Sequence, residues 1–214
     1  MKVLAIGDLH APFTLKKYLR FCKNVDRRCG CNQVVFIGDL VDNHYSSYHE
    51  TDPDGFSAGD ELDRAITEIR KWYRAFPEAY VCIGNHDRIV HRKAYSAGIS
   101  RRWVRDYGEM FDAPGWKFVE DVTIDNVRYC HGEGKKAPQK AKDNMRSYVQ
   151  GHHHSECGVV WHTGDNCRVF GMQVGNGIDR KSYAMAYGKH GPHPAIACGV
   201  IEHGKVATNH LMDL

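Results

Sequence analysis

The feature that most constrains this chain is a series of short apolar runs, each stopping at a small polar cluster. The runs are Val3 to Ile6, Val34 to Ile37, Tyr80 to Ile83, Val127 to Cys130, Val169 to Val174 and Ile196 to Ile201. They are too short for buried helices, and their β-branched content suits strands buried on both faces. Helical patterns lie between them. The clearest runs from about Asp60 to Phe76, with Leu62, Ile66, Ile69, Tyr73 and Phe76 on one stripe, and Pro77 closes it. A shorter helix is expected after Thr14, with Leu15, Tyr18, Leu19 and Cys22 facing inward. Alternating strands and helices predict an α/β layered fold. Strands dominate beyond Phe118, and His203-Gly204-Lys205 reads as a hairpin turn. A mixed sheet, or two packed sheets with helices outside, is therefore expected.

A length of 214 residues suits one domain, 1–214, with a core large enough to need no disulfide. No apolar run approaches the roughly 20 residues of a membrane span, and the apolar start at Met1 to Ile6 is too short for a signal peptide. A cytoplasmic protein is the expectation. The cysteines, at 22, 29, 31, 82, 130, 157, 167 and 198, show no CxxC spacing and read as free thiols. Charge is uneven. Residues 29–63 contain eight acidic side chains and no Lys or Arg, whereas residues 88–146 contain thirteen basic against eight acidic.

Five polar clusters follow predicted strands: Gly7-Asp8-Leu9-His10, Gly38-Asp39-Leu40-Val41-Asp42, Gly84-Asn85-His86-Asp87, His131-Gly132 and Gly151-His152-His153-His154. The carboxyl ends of strands are where open α/β sheets gather ligands. Asp oxygen and His nitrogen suit Mn, Fe, Zn or Ni, and one carboxylate can bridge two cations. Two cations roughly 3.5–4 Å apart can clamp a phosphoryl group. Asp8 and Asp39 bring only two negative charges, so two divalent ions would leave a positive site that attracts a phosphate anion.

In this order the clusters resemble the calcineurin-like metallophosphoesterase superfamily, over nearly the whole chain, from Asp8 to His154. The resemblance implies a four-layer fold, a mixed β-sandwich flanked by helices, and a dinuclear centre, with Mn2+ the leading metal and Fe, Zn or Ni acceptable. It implies that Asp8, His10, Asp39 and His154 hold one ion, and that Asp39, Asn85, His131 and His152 hold the other. It further implies attack by a metal-bridging hydroxide, with His86 protonating the leaving oxygen and Asp42 orienting His86. His153 matches no ligand position. His44, His49 and His91 read as solvated loop histidines, and Asp87 as a structural turn residue.

The substrate is less determined. Phosphoprotein phosphatases of the superfamily carry Arg-Gly after the second motif and Glu after the Asn-His pair; this chain has Asn43-His44 and Asp87 there. A phosphodiester or phosphomonoester, small or nucleotide-like, is expected. A DNA or RNA nuclease is the competing reading, disfavoured by the acidic stretch from Asp39 to Asp63. A third is a binding scaffold. Lys135, Lys136, Lys140, Lys142 and Arg146, like Arg101, Arg102 and Arg105, are read as solvated charge. Tyr45, Tyr48 and Phe56 either stack on a base or pack their loop.

Overall fold

The computed structural model describes residues 1–48, 50–188 and 192–213. The expected strands form at the predicted places, in two mixed sheets. In the first, β1 (Lys2–Ile6), β2 (Gln33–Phe36), β3 (Ala79–Cys82) and β4 (Trp116–Val119) run parallel. Two antiparallel strands, β10 (Ala197–Glu202) and β11 (Val206–Leu211), extend it beyond β1. Their hairpin turns at His203 and Gly204, both left-handed, where the sequence placed it. The second sheet has the order β5 (Asp121–Ile124), β6 (Val127–Cys130), β7 (Ser147–Gln150), β9 (Arg168–Val174), β8 (Cys157–Thr163).

Alternation along the strands explains the layering. In β1, Leu4 and Ile6 pack against α1 (Tyr18–Cys29) and α2 (Ala58–Ala75) together with Tyr18, Ile69 and Trp72. Val3 and Ala5 point the other way, onto Val127, Tyr129, Val149 and Met172 of the second sheet. The far face of that sheet is covered by α5 (Ala137–Asn144), through Ala137, Ala141, Tyr148 and Val169. The result is the mixed β-sandwich flanked by helices that the resemblance implied.

Two helical expectations shift. The first helix begins at Tyr18 rather than just after Thr14. Thr14 pairs with Ile178 as an isolated bridge, and Leu15 donates its N–H to Gly177 at 2.8 Å, which holds both residues extended. The second helix buries Ile69 as expected, Phe76 is buried at its end, and Ile66 and Tyr73 pack partly against the core. Its other fully buried positions are Glu61, Ala65 and Trp72, a stripe offset from the expected one. Glu61 causes the offset. Its carboxylate is buried and accepts the N–H groups of His44 at 2.7 Å and Tyr45 at 3.0 Å, which ties the helix to the loop after the second motif. Ser57 caps the same helix through the Asp60 N–H at 3.2 Å. Among the described residues no helix is long and apolar enough to cross a membrane.

Candidate metal centre

All five polar clusters meet at one end of the sandwich. Asp8, Asp39 and Asn85 follow β1, β2 and β3 of one sheet; His131 and His152 follow β6 and β7 of the other. His154 joins them from the loop after β7. Ligand-type atoms of Asp8, His10, Asp39 and His154 lie within 4.8 Å of one another, as do those of Asp39, His131 and His152. Asp39 is common to both groups. Asn85 enters the second, its Oδ1 lying 2.7 Å from His131 Nε2 and 2.9 Å from His152 Nδ1.

Each carboxylate is anchored by one oxygen and turns the other towards the histidine rings, Asp39 Oδ2 lying 3.2 Å from His131 Nε2. Asp8 Oδ2 accepts the His152 N–H at 2.8 Å, and Asp39 Oδ1 accepts the His86 N–H at 2.8 Å. Asp8 Oδ1 and Asp39 Oδ2 are buried and accept no hydrogen bond. A buried anionic oxygen without a partner is costly unless a cation meets it. The glycines of the clusters leave the space. A Cβ on Gly84 would come within 2.0 Å of Asp39 Oδ1, and one on Gly151 within 2.1 Å of Asp8 Oδ1. The backbone is also held in an unusual shape, with left-handed φ at His10, Asp39 and His152, each costing on the order of 1 kcal/mol or more.

The imidazoles are oriented from behind. His131 Nδ1 donates to the Ile37 carbonyl at 3.1 Å and His10 Nδ1 to the Asp42 carboxylate at 2.5 Å, so in both rings the Nε2 lone pair faces the centre. Facing nitrogens lie close together: His10 Nε2 and His154 Nε2 at 3.2 Å, His131 Nε2 and His152 Nδ1 at 3.1 Å. Lone pairs converging at that range fit a shared cation. Protein charges alone leave a different balance. Burial works against a charge on His131, but Asp39 outweighs it and pushes the ring up to about 10. Burial likewise opposes the charge on Asp39, yet His131 holds that carboxyl well below the usual range. A cation arriving there takes the place of a proton, so uptake releases one. Burial, then the neighbouring His86, lowers His10.

The sequence assigned Asp42 to orient His86. The geometry divides that residue differently: its carboxylate serves His10, at 3.7 Å from His86 Nδ1, while its backbone carbonyl accepts the His86 Nδ1–H at 2.6 Å. The short motif bends back on itself, so the peptide rather than the side chain reaches His86. Burial pulls His86 down, but Asp39 and Asp42 together raise it. Asn43, which stands where the phosphoprotein phosphatases carry arginine, donates its side-chain amide to the His86 carbonyl at 2.9 Å. Asp87 joins the second and third motifs, accepting the N–H groups of Gly84 at 2.8 Å and Val41 at 3.2 Å, as a turn residue should.

One positioning residue was missed. Asn176 donates its side-chain amide to the carbonyls of His154 at 2.6 Å and Ala195 at 3.3 Å, and its Oδ1 accepts the Ile178 N–H at 3.1 Å. The signal was present in Gly175-Asn176-Gly177, a sixth polar cluster at the end of an apolar run. The loop histidines divide. His44 is buried rather than solvated, ringed by Phe13 and Tyr183; His91 is half-buried against Tyr107; His49 lies outside the described residues. Phe56 packs its loop by stacking on Phe13, whereas Tyr45 and Tyr48 are exposed. Lys135 and Lys136 pair with Asp143 and Glu156, in keeping with a solvated face. All eight cysteines are free, and none joins a metal-type cluster among the described residues.

Comparison with solved structures places a metallophosphoesterase from Sphaerobacter thermophilus over 100% of this chain and 89% of its own, at 12% identity and a TM-score of 0.51. An archaeal phosphodiesterase aligns over 99% of this chain and 100% of its own, at 14% identity and a TM-score of 0.48. Vps29 from Entamoeba histolytica, solved with Zn2+, aligns over 100% and 99%, at 14% identity and a TM-score of 0.48. At such identities the first of these speaks to the fold alone. No curated protein matches the sequence. The family model described as calcineurin-like phosphoesterase matches residues 1–180, and the chain belongs to that family.

Proposed function

We propose that this chain hydrolyses a phosphodiester or phosphomonoester with two divalent cations, within one domain spanning 1–214. The observation that supports this reading best is the pair of buried oxygens that accept no hydrogen bond, Asp8 Oδ1 and Asp39 Oδ2, facing converging imidazole nitrogens. Asp8, His10, Asp39 and His154 would hold one cation; Asp39, Asn85, His131 and His152 the other. The donor set accepts Mn2+, Fe, Zn or Ni, with Mn2+ the first to test. Bound there, such ions supply Lewis-acid charge and lower the pKa of water. The protein's own contribution is orientation. His86 is fixed at Nδ1 by the Asp42 carbonyl, which leaves Nε2 to hand a proton to the departing oxygen.

The test is a substrate panel with Mn-loaded protein: bis-p-nitrophenyl phosphate, p-nitrophenyl phosphate, cyclic nucleotides, and single- and double-stranded DNA. Hydrolysis of at least one, lost on chelation and restored by Mn2+, is expected. A metal-loaded preparation inert towards all of them would instead mark a binding scaffold. The anchor behind His154 gives a separate check. Asn176→Ala is expected to weaken metal affinity about 10–100-fold, the usual effect of losing a partner behind a ligand. Competition against a metallochromic chelator reads it, and unchanged affinity would remove Asn176 from the site.

A further inference from the structure

The third motif runs directly into α3 (Ile89–Ser96), and one face of that helix forms the floor of a trough. Two hollows make it up. One, of about 430 Å3, is lined by Arg88, Arg92, Glu120, His131 and Glu133; the next, of about 460 Å3, by Arg88, Arg92, Tyr95, Arg101 and Glu120. They share Ile83, Arg88, Arg92 and Glu120, so the trough leads without interruption from His131 to the 3₁₀ helix Arg101–Trp103.

Its charges are not balanced internally. Arg88 alone takes both carboxylates, pairing with Glu120 and with Glu133 at 3.0 Å. Arg92 and Arg101 have no ion pair with any described residue. Lys93, Arg102 and Arg105, close in sequence to the lining residues, are exposed, Lys93 donating to the Ser47 carbonyl at 3.1 Å. Aromatic rings are interleaved with these cations. Tyr95, which lines the second hollow, is 75% exposed; Trp103, two residues beyond the lining Arg101, is 84% exposed; and Tyr48, outside both hollows, lies beneath the Arg92 guanidinium at 5.5 Å. Val90 and Ile99 of the same stretch are also exposed, and several exposed apolar side chains in one short segment point to a partner where one indole alone would not.

The acidic stretch that argued against a polyanion is weaker than its composition suggested. Asp39, Asp42 and Glu61 are buried in the centre or its supports, so only part of that charge faces solvent. Cations to follow a phosphate backbone and exposed rings to stack on bases are the two elements of single-strand recognition. A duplex keeps its bases inside and would leave the rings unused.

We propose that the trough along α3 holds the nucleotides flanking the reactive phosphodiester of a single-stranded nucleic acid. This rests on the phosphoesterase reading of the centre and names its substrate class. The probe is a short fluorescein-labelled oligothymidylate, followed by anisotropy at about 50 mM salt with chelator present, so that binding is read without hydrolysis. Trp103→Ala should weaken binding roughly tenfold, the scale of one lost base stack, and Trp103→Phe should recover part of it. Arg92→Ala and Arg101→Ala should each flatten the slope of log affinity against log salt by about 0.7. Circular dichroism and Mn content of the variants should match the wild type, which shows that they fold with the centre intact.

Wild-type protein without affinity for the oligonucleotide, or variants that bind as the wild type does, would overturn the proposal and leave Trp103 to a protein partner. Failure of the underlying reading looks different. It is wild-type protein inert towards the small ester, a result the binding measurement does not depend on.

Discussion

Asp39→Ala is expected to abolish tight binding at both halves of the centre and to lower turnover at least about a hundredfold, the scale already lost when only a supporting partner is removed. The reason is topological. Asp39 is the one residue common to both clusters, and its two oxygens have separate duties. Oδ1 fixes the His86 N–H at 2.8 Å, while Oδ2 is buried without a hydrogen bond. Alanine removes the shared anion and loosens His86 in one step. Asp39→Asn separates these effects, since it retains an oxygen for the His86 N–H but drops the charge. Elemental analysis after reconstitution and gel filtration reads the metal, and circular dichroism confirms the fold. Full metal content in Asp39→Ala would show that the two clusters are not bridged.

His86→Ala should do the opposite to metal and much the same to rate. Turnover is expected to fall roughly 10²–10⁴-fold, the usual contribution of a placed general acid, with metal content unchanged. Its Nδ1 is engaged by the Asp42 carbonyl at 2.6 Å, and its side chain is 15% exposed, enough for one face to meet a ligand. The defect should also depend on the leaving group. A p-nitrophenolate departs readily without a proton, whereas an alkoxide from a sugar or nucleoside does not. The loss should therefore be larger for an alkyl ester than for p-nitrophenyl phosphate. An equal loss on both would assign His86 to positioning the phosphate instead.

The strands and the meeting of five distant clusters were legible because both rest on local rules. Apolar runs such as Val3 to Ile6 are of strand length and rich in β-branched residues, and the clusters after β1, β2 and β3 emerge on one side of a parallel sheet. The arrival of His131 and His152 from the second sheet was implied by the resemblance. What was hidden depended on partners remote in sequence. The rotation of α2 follows from Glu61 reaching the N–H groups of His44 and Tyr45, which no periodicity encodes. Thr14 looked like a helix start, yet Ile178 claims it for a bridge. Asp42 could be placed near His86 by spacing, but whether its carboxylate or its carbonyl would face that ring depended on the fold of one short loop. Asn176 carries no ligand chemistry of its own, so its role emerges only from the carbonyls it holds.

The pairing of β1 with β10 bears on how the protein is made. Lys2 lies opposite Glu202, so β1 is flanked on one side by a strand that is made long after it. His154 and its anchor Asn176 likewise emerge long after Asp8. A nascent chain can assemble the helical layer on β1 to β3 early, but its first sheet stays open at the β1 edge until β10 has been made. The polar clusters therefore come together only once the later strands exist, and a product terminated before His154 would carry scattered carboxylates and imidazoles without an assembled centre.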